Sequence, residues 1–152
     1  MKKAAFAAFR RMPAPLRRLV VRWMSPSFTV GAVAVLRRPD GSIVLVDQRH
    51  SDGWALPGGL LRRGEPAADA LVREVCEEIG VDLHSARLPV PLAAVTASVR
   101  RVDVVFVIDI EGAVGMRAVD SAEVLSVEWF GLDALPEVTP PTREILRAVR
   151  LL

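Results

Sequence analysis

Three glutamates, Glu74, Glu77 and Glu78, stand close together in a stretch of helical pattern. At about 100° per residue, with Glu74 at zero, Glu78 lies near 40° and Glu77 near 300°, so the three carboxylates share one side of the helix. Leu71, Val75, Ala68, Ile79 and Val72 fill the arc from about 60° to 160° and form a stripe for burial. Like charges four apart destabilise a helix by roughly 0.2–0.5 kcal/mol per pair; Arg73 can offset part of this by reaching Glu77 or Asp69, each one turn away. On the wheel alone, a solvated acidic face is the ordinary reading, and the context decides for a cation site. The neighbouring Gly58-Gly59 adds chemistry, because bare backbone admits close approach and frees a carbonyl to join a ligand set. Carboxylate oxygens on one rigid element beside such a turn suit Mg²⁺ or Mn²⁺, hard cations that fill their remaining positions with water. A centre of this kind can clamp a diphosphate and activate a water toward phosphorus. Cys76, near 200°, faces away from the glutamates and reads as a packing residue.

These side chains need a scaffold. The helix is predicted over residues 66–79, with Pro66 in its first turn and Gly80 just past its end. Phe28–Leu36 and Ile43–Val46 read as strands joined by the turn Pro39-Asp40-Gly41, and a loop rich in turn formers runs from His50 to Gly59. Further strands are predicted at Pro91–Val99, Val102–Ile110 and Val124–Phe130, with Arg100-Arg101 at a hairpin tip. A short helical turn is expected at Leu132–Leu135, and Pro140-Pro141 opens a last helix to about Val149. Strands flanking a central helix, with a helix to follow, give an α/β (α+β) order in layers.

The chain has 152 residues, 51% apolar and 25% charged, which is enough for one domain with a real core and excludes a disordered or collagenous protein. The single cysteine permits no internal disulfide, and a reducing, cytoplasmic setting is the expectation. No apolar run approaches the roughly 18–20 residues of a membrane span. Arginine outnumbers lysine 18 to 2, and Tyr and Asn are absent, so a missing Tyr carries little weight in reading the site. Residues 1–29 hold seven basic groups and no acid, whereas the remaining 123 hold 13 basic and 18 acidic groups. The basic balance therefore belongs to an arm, residues 1–27, attached to an acidic domain at 28–152, and no stable nucleic-acid complex is expected. Within the arm, Leu16, Leu19, Val20, Trp23 and Met24 recur at helical spacing, with Arg17, Arg18 and Arg22 largely opposite. That amphipathic helix is expected to pack on its own domain or a twin subunit in a homodimer; a membrane surface is the alternative contact. A secretory signal fits poorly, because the apolar run before Arg10-Arg11 is too short.

The stretch from Gly59 to Val81 resembles the Nudix box, G-x5-E-x7-R-E-U-x-E-E-x-G-U with U aliphatic. Gly59, Glu65, Arg73, Glu74, Glu77, Glu78 and Gly80 fill its fixed positions, Val75 and Val81 its aliphatic ones, and the lead-in from Trp54 to Gly59 is also similar to the family's. The resemblance implies an α/β/α sandwich with a mixed β-sheet, and hydrolysis of a nucleoside diphosphate linked to another moiety, with Mg²⁺ or Mn²⁺ as cofactor. It implies metal ligation by Glu74, Glu77 and Glu78 together with the Gly58 carbonyl, with Glu74 alternatively the general base. It further implies that Arg73 holds a box glutamate in place, Glu65 above all, and that a downstream acid, Glu123 or Asp120, completes the site. Arg49 is expected to meet a substrate phosphate, Gly59 to let substrate approach, and Trp54 or Phe28 to stack on a base or pack in the core. Arg62-Arg63 either draws in anionic substrate or is solvated loop, while His50 and His84 read as structural or solvent-facing. The subfamily proline and tyrosine beyond the box are absent, with Thr96 in that region, which leaves modified dNTP and ADP-ribose types of substrate open. The rival expectation is a nucleotide-binding or regulatory module on the same fold, without turnover.

Overall fold

A computed structural model describes residues 9–25, 27–84, 87–96, 99–111, 115–119 and 122–152. After helix α1 (Ala14–Met24), the chain forms β1 (Thr29–Arg37), β2 (Ile43–Gln48), β3 (Trp54–Ala55), β4 (Gly58–Leu60), α2 (Ala67–Ile79), β5 (Leu92–Thr96), β6 (Arg101–Asp109), β7 (Val124–Phe130) and α3 (Pro140–Ala148). The seven strands make one mixed sheet in the order β3-β2-β1-β6-β5, with β4 also pairing β1 and β7 also pairing β2. The central pair, β1 and β6, is parallel from Thr29 opposite Arg101 to Arg37 opposite Asp109; the other strand pairs are antiparallel.

Strand β1 is apolar almost without interruption because both of its faces are covered. Ala32, Ala34 and Leu36 pack with Leu71, Val75 and Ile79 of α2. Val33 and Val35 point the other way and pack with Ile145 and Leu146 of α3. The result is the α/β/α sandwich with a mixed sheet. Each fully buried Leu, Ile or Val side chain in these layers contributes about 1.5–3 kcal/mol, so the apolar arc of α2 fixes which way its acidic arc must face.

The helix ends follow local chemistry. Gly80 adopts the left-handed conformation, φ 70°, and its N–H bonds the Cys76 carbonyl. Thr139 caps α3 through its hydroxyl, which accepts from the Thr142 N–H. Several expectations shift. Pro66 is the N-cap of α2, extended at ψ 145°, and does not lie in its first turn. The predicted loop from His50 to Gly59 contains two short strands, β3 and β4. Leu132–Leu135 forms turns without a helix. Cys76 is exposed and does not pack, since its position on the wheel falls beyond the arc that meets the sheet. Part of the predicted strand Pro91–Val99 lies outside the described residues.

Helix α1 buries none of its residues: Trp23 is 83% and Met24 80% exposed, so its apolar face is not packed on its own domain. Among the described residues, no helix is long and apolar enough to cross a membrane.

Candidate active site

The box begins where β4 is pressed onto β1. Gly58 has φ 137°, a conformation that L side chains rarely adopt, and a Cβ there would collide with the Ala32 carbonyl. A Cβ on Gly59 would collide with the Glu74 carboxylate. The two glycines thus let the strand lie flat against β1 and let Glu74 tuck against its backbone.

Arg73 organises one side of the site. Its Nε and Nη2 donate to the two oxygens of Glu65 at 2.8 and 2.9 Å, the paired geometry in which guanidinium and carboxylate match. Its Nη1 donates to Glu74 Oε1 at 2.7 Å and to Glu77 Oε2 at 3.3 Å, and its Nη2 to the Leu60 carbonyl at 3.4 Å. Glu65 also accepts from the Arg62 N–H at 2.7 Å. Bonds from Arg73 and then from the Arg62 backbone hold the Glu65 carboxyl down at about 2, and the same pairing raises Arg73 above its usual range. The expectation that Arg73 anchors Glu65 agrees with this geometry, whereas Asp69 is not its partner. Glu77, half exposed, meets Arg73 and also the Arg62 guanidinium at 3.6 Å.

Glu78 has the opposite surroundings. It is 4% exposed and, among the described residues, has no ion-pair partner. Gln48 Nε2 donates to its Oε1 at 2.9 Å and the Gly58 N–H to its Oε2 at 2.8 Å. Burial pushes its carboxyl up to about 7 despite those bonds, and the charges of Glu74 and Glu123 push the same way. Glu123 is thereby within electrostatic reach of Glu78, and the fold brings it close from the far side of the sheet sequence. Asp120 lies outside the described residues. Gln48, the chain's sole glutamine, was missing from the sequence reading; its position at the end of β2 gave no sign that it would reach across to α2.

The donor set is oxygen-rich: a buried carboxylate with two acidic neighbours and no cation bonded to it. That chemistry fits a divalent cation. Among the described residues, no three acidic, histidine or cysteine side chains are already gathered as a ligand cluster; Glu74 and Glu77 are drawn toward Arg73.

A cleft of about 360 Å³ opens beside Glu78, lined by both of its hydrogen-bond partners, Gln48 and Gly58. Arg101, His50 and Asp52 also line it, with Thr139 and Thr142 from the start of α3. His50 is therefore cleft-lining as well as exposed, while His84 is exposed on the α2–β5 connection. Trp54, Arg49 and Phe28 are not among the residues that line this cleft. Trp54 is half-buried and meets Phe130 edge-on at 4.8 Å between ring centres. Arg49 turns toward the loop before β7, its Nε donating to the Ala122 carbonyl at 3.2 Å. Phe28 is exposed ahead of β1. Arg63 is exposed in the box loop.

The NUDIX domain family model matches residues 27–149, and the chain belongs to the Nudix family of hydrolases. It is 29% identical over 123 residues to the NAD-capped RNA hydrolase NudC of Klebsiella pneumoniae, an alignment covering 76% of this chain and 44% of that protein. The chain thus spans less than half the length of the curated relatives it matches. A crystal structure of a MutT NUDIX hydrolase from Burkholderia pseudomallei superposes with a TM-score of 0.67 at 29% identity, covering 82% of this chain and 99% of that one. A bifunctional NMN adenylyltransferase/ADP ribose pyrophosphatase from Francisella tularensis, complexed with AMP and Mn ion, shares the fold at a TM-score of 0.66 and 22% identity, covering 90% of this chain and 45% of that one. Nudix hydrolases generally use divalent metals and act on nucleotide-derived diphosphates.

Proposed function

We propose that this chain is a Mg²⁺- or Mn²⁺-dependent hydrolase of a nucleoside diphosphate linked to a second moiety, of the modified-dNTP or ADP-ribose type. The observation that carries this reading is Glu78, a buried carboxylate with acidic neighbours and no ion-pair partner among the described residues, whose hydrogen-bond partners Gln48 and Gly58 line a cleft large enough for part of a nucleotide. Glu78, Glu74, Glu77 and Glu123 would hold the metal, with the Gly58 carbonyl joining them. A divalent cation held by these residues would supply charge neutralisation for phosphoryl oxygens and a lowered pKa for a water, whose proton a carboxylate of the site would take before attack on phosphorus. Arg73 and Glu65 keep the box loop and Glu74 in register. Glu74 serves as a ligand or as the base that takes the water's proton. Gly59 leaves room for the Glu74 carboxylate beside the box backbone.

Residues 1–27 are read as an arm apart from the 28–152 hydrolase domain, with the exposed face of α1 available to a second subunit or a membrane surface. Deleting 1–27 should leave hydrolysis intact while changing oligomer mass or vesicle co-sedimentation. A reducing, cytoplasmic setting suits the lone exposed thiol.

The decisive experiment incubates the protein with Mg²⁺ and a panel of ADP-ribose, dNTPs, oxidised dGTP, dinucleoside polyphosphates and NADH, resolving products by ion exchange. Hydrolysis present in the wild type and lost in Glu78→Gln is the expected result. Equal hydrolysis by the variant would overturn the assignment of Glu78, and binding without turnover would favour the regulatory module.

A further inference from the structure

Arg101 is the one arginine or lysine among the described residues that line the cleft. Its Nε donates to both oxygens of Asp103, at 2.7 and 3.0 Å, and Asp103 is fully buried. The two sit at alternate positions of β6, so they share the face that Val105 presents to the α3 layer. Gly31 lies opposite Asp103 on β1. A Cβ on Gly31 would collide with Asp103 Oδ1 and lie 2.7 Å from Arg101 Nη2 and 3.2 Å from the Gly59 carbonyl. Gly31 therefore makes room for the pair, and the guanidinium lies beside the backbone of the box itself. Opposite Arg101 on β5 is Thr96, 3% exposed, whose hydroxyl has no hydrogen-bond partner.

A pair like this does not explain itself by stability. Replacing a buried ion pair with apolar side chains of similar volume is often neutral or stabilising, and the surrounding sheet already supplies apolar neighbours. What the pair provides is orientation. Asp103 engages the Nε, which fixes the planar fork where Arg101 lines the cleft, and paired acceptor atoms match a guanidinium.

We infer that Arg101, aimed by Asp103, binds a pair of acceptor oxygens on the substrate, with Asp103 as its positioning residue. The inference rests on the proposed nucleoside diphosphate substrate and assigns it a contact outside the box. The acceptors belong either to the diphosphate or to the edge of the base; the chemistry is shared and the experiment separates the sources.

Two variants test it. Arg101→Lys keeps the charge and the partner for Asp103 but removes the fork. Arg101→Met with Asp103→Leu removes the pair without stranding a buried carboxylate. Binding of ADP, GDP and UDP is measured by calorimetry, kcat and KM on ADP-ribose, a GDP-sugar and a UDP-sugar, and the melting midpoint for each protein. The expected result is a loss of affinity of about tenfold to a hundredfold in both variants, carried by KM with kcat little changed, while the double variant melts no lower than the wild type. A loss equal across the three nucleotides assigns the contact to the diphosphate; a loss confined to one assigns it to that base. Wild-type Kd and KM in Arg101→Lys overturn the inference, as does a double variant that melts lower while Arg101→Lys binds normally, since that would make the pair purely structural. If the wild type neither binds nor hydrolyses any of these nucleotides, nor dNTPs and oxidised dGTP, the proposed substrate class fails and takes the inference with it.

Discussion

Arg73 and Glu78 lie on the same helix, one turn and a residue apart, and their charges meet opposite treatment. Around Arg73 the structure closes the electrostatics: Glu65 and Glu74 are within 2.9 Å, and the Glu65 carboxyl is held near 2. Around Glu78 the charge is left open, satisfied only by an amide side chain and a backbone N–H, and its carboxyl rises to about 7. The first cluster can fix geometry without any ligand. The second holds a strain that a cation would relieve, and perturbed groups of this kind gather at functional sites.

The largest expected effect comes from breaking the open side. Glu78→Gln keeps the shape and the bonds to Gly58 and Gln48 in reach, so turnover should fall by about 10³-fold while the metal-free protein melts no lower than the wild type at pH 8. A variant that loses both activity and stability would show that Glu78 is part of the scaffold instead.

Breaking the closed side should have the reverse signature. Arg73→Leu leaves Glu65 and Glu74 without their cation, and the expected result is a lower midpoint in urea. Stability equal to the wild type would mean that the carboxylates relax into solvent and that the clamp fixes nothing.

pH should sharpen the contrast, with the smallest effect. The folded Glu78 carboxyl lies above its ordinary 4.5, so the stability it favours is present below pH 4.5 and lost as pH rises through about 7. Glu65 lies below 4.5, so its contribution is present above that value and lost as pH falls toward 2. Metal-free protein should therefore be more stable at pH 5 than at pH 8 by about 2 kcal/mol, and saturating Mg²⁺ should abolish the difference. Glu78→Gln should flatten the alkaline limb and Glu65→Gln the acid limb, as followed by thermal melts across pH. A slope unchanged in Glu78→Gln would assign the alkaline limb to other groups.

Much of this was legible before any coordinates. The periodicity of Leu71, Val75 and Ile79 located α2 and the face it buries, and Gly80 located its end. The resemblance to the box paired Arg73 with Glu65, and helical spacing placed the three glutamates on one side. Local patterns of this kind survive because helix geometry converts sequence distance directly into angle. Cys76 was less well read, since whether a side chain packs depends on what the other elements bring to it.

The sequence by itself determined the family, the two-faced sheet and the order of charge along one helix. Only the tertiary structure decided that Glu78 is the buried member of its trio, that Gln48 reaches it from β2, that Glu123 bears on it from the other end of the chain, and that Arg101 is aimed by Asp103 over Gly31. Most of those relations join residues on different strands or helices, and the Arg101–Asp103 pair, though on one strand, fits only because Gly31 of the neighbouring strand makes room for it. Burial and long-range pairing are set by how the layers close on one another, and nothing in the local spacing of residues records that.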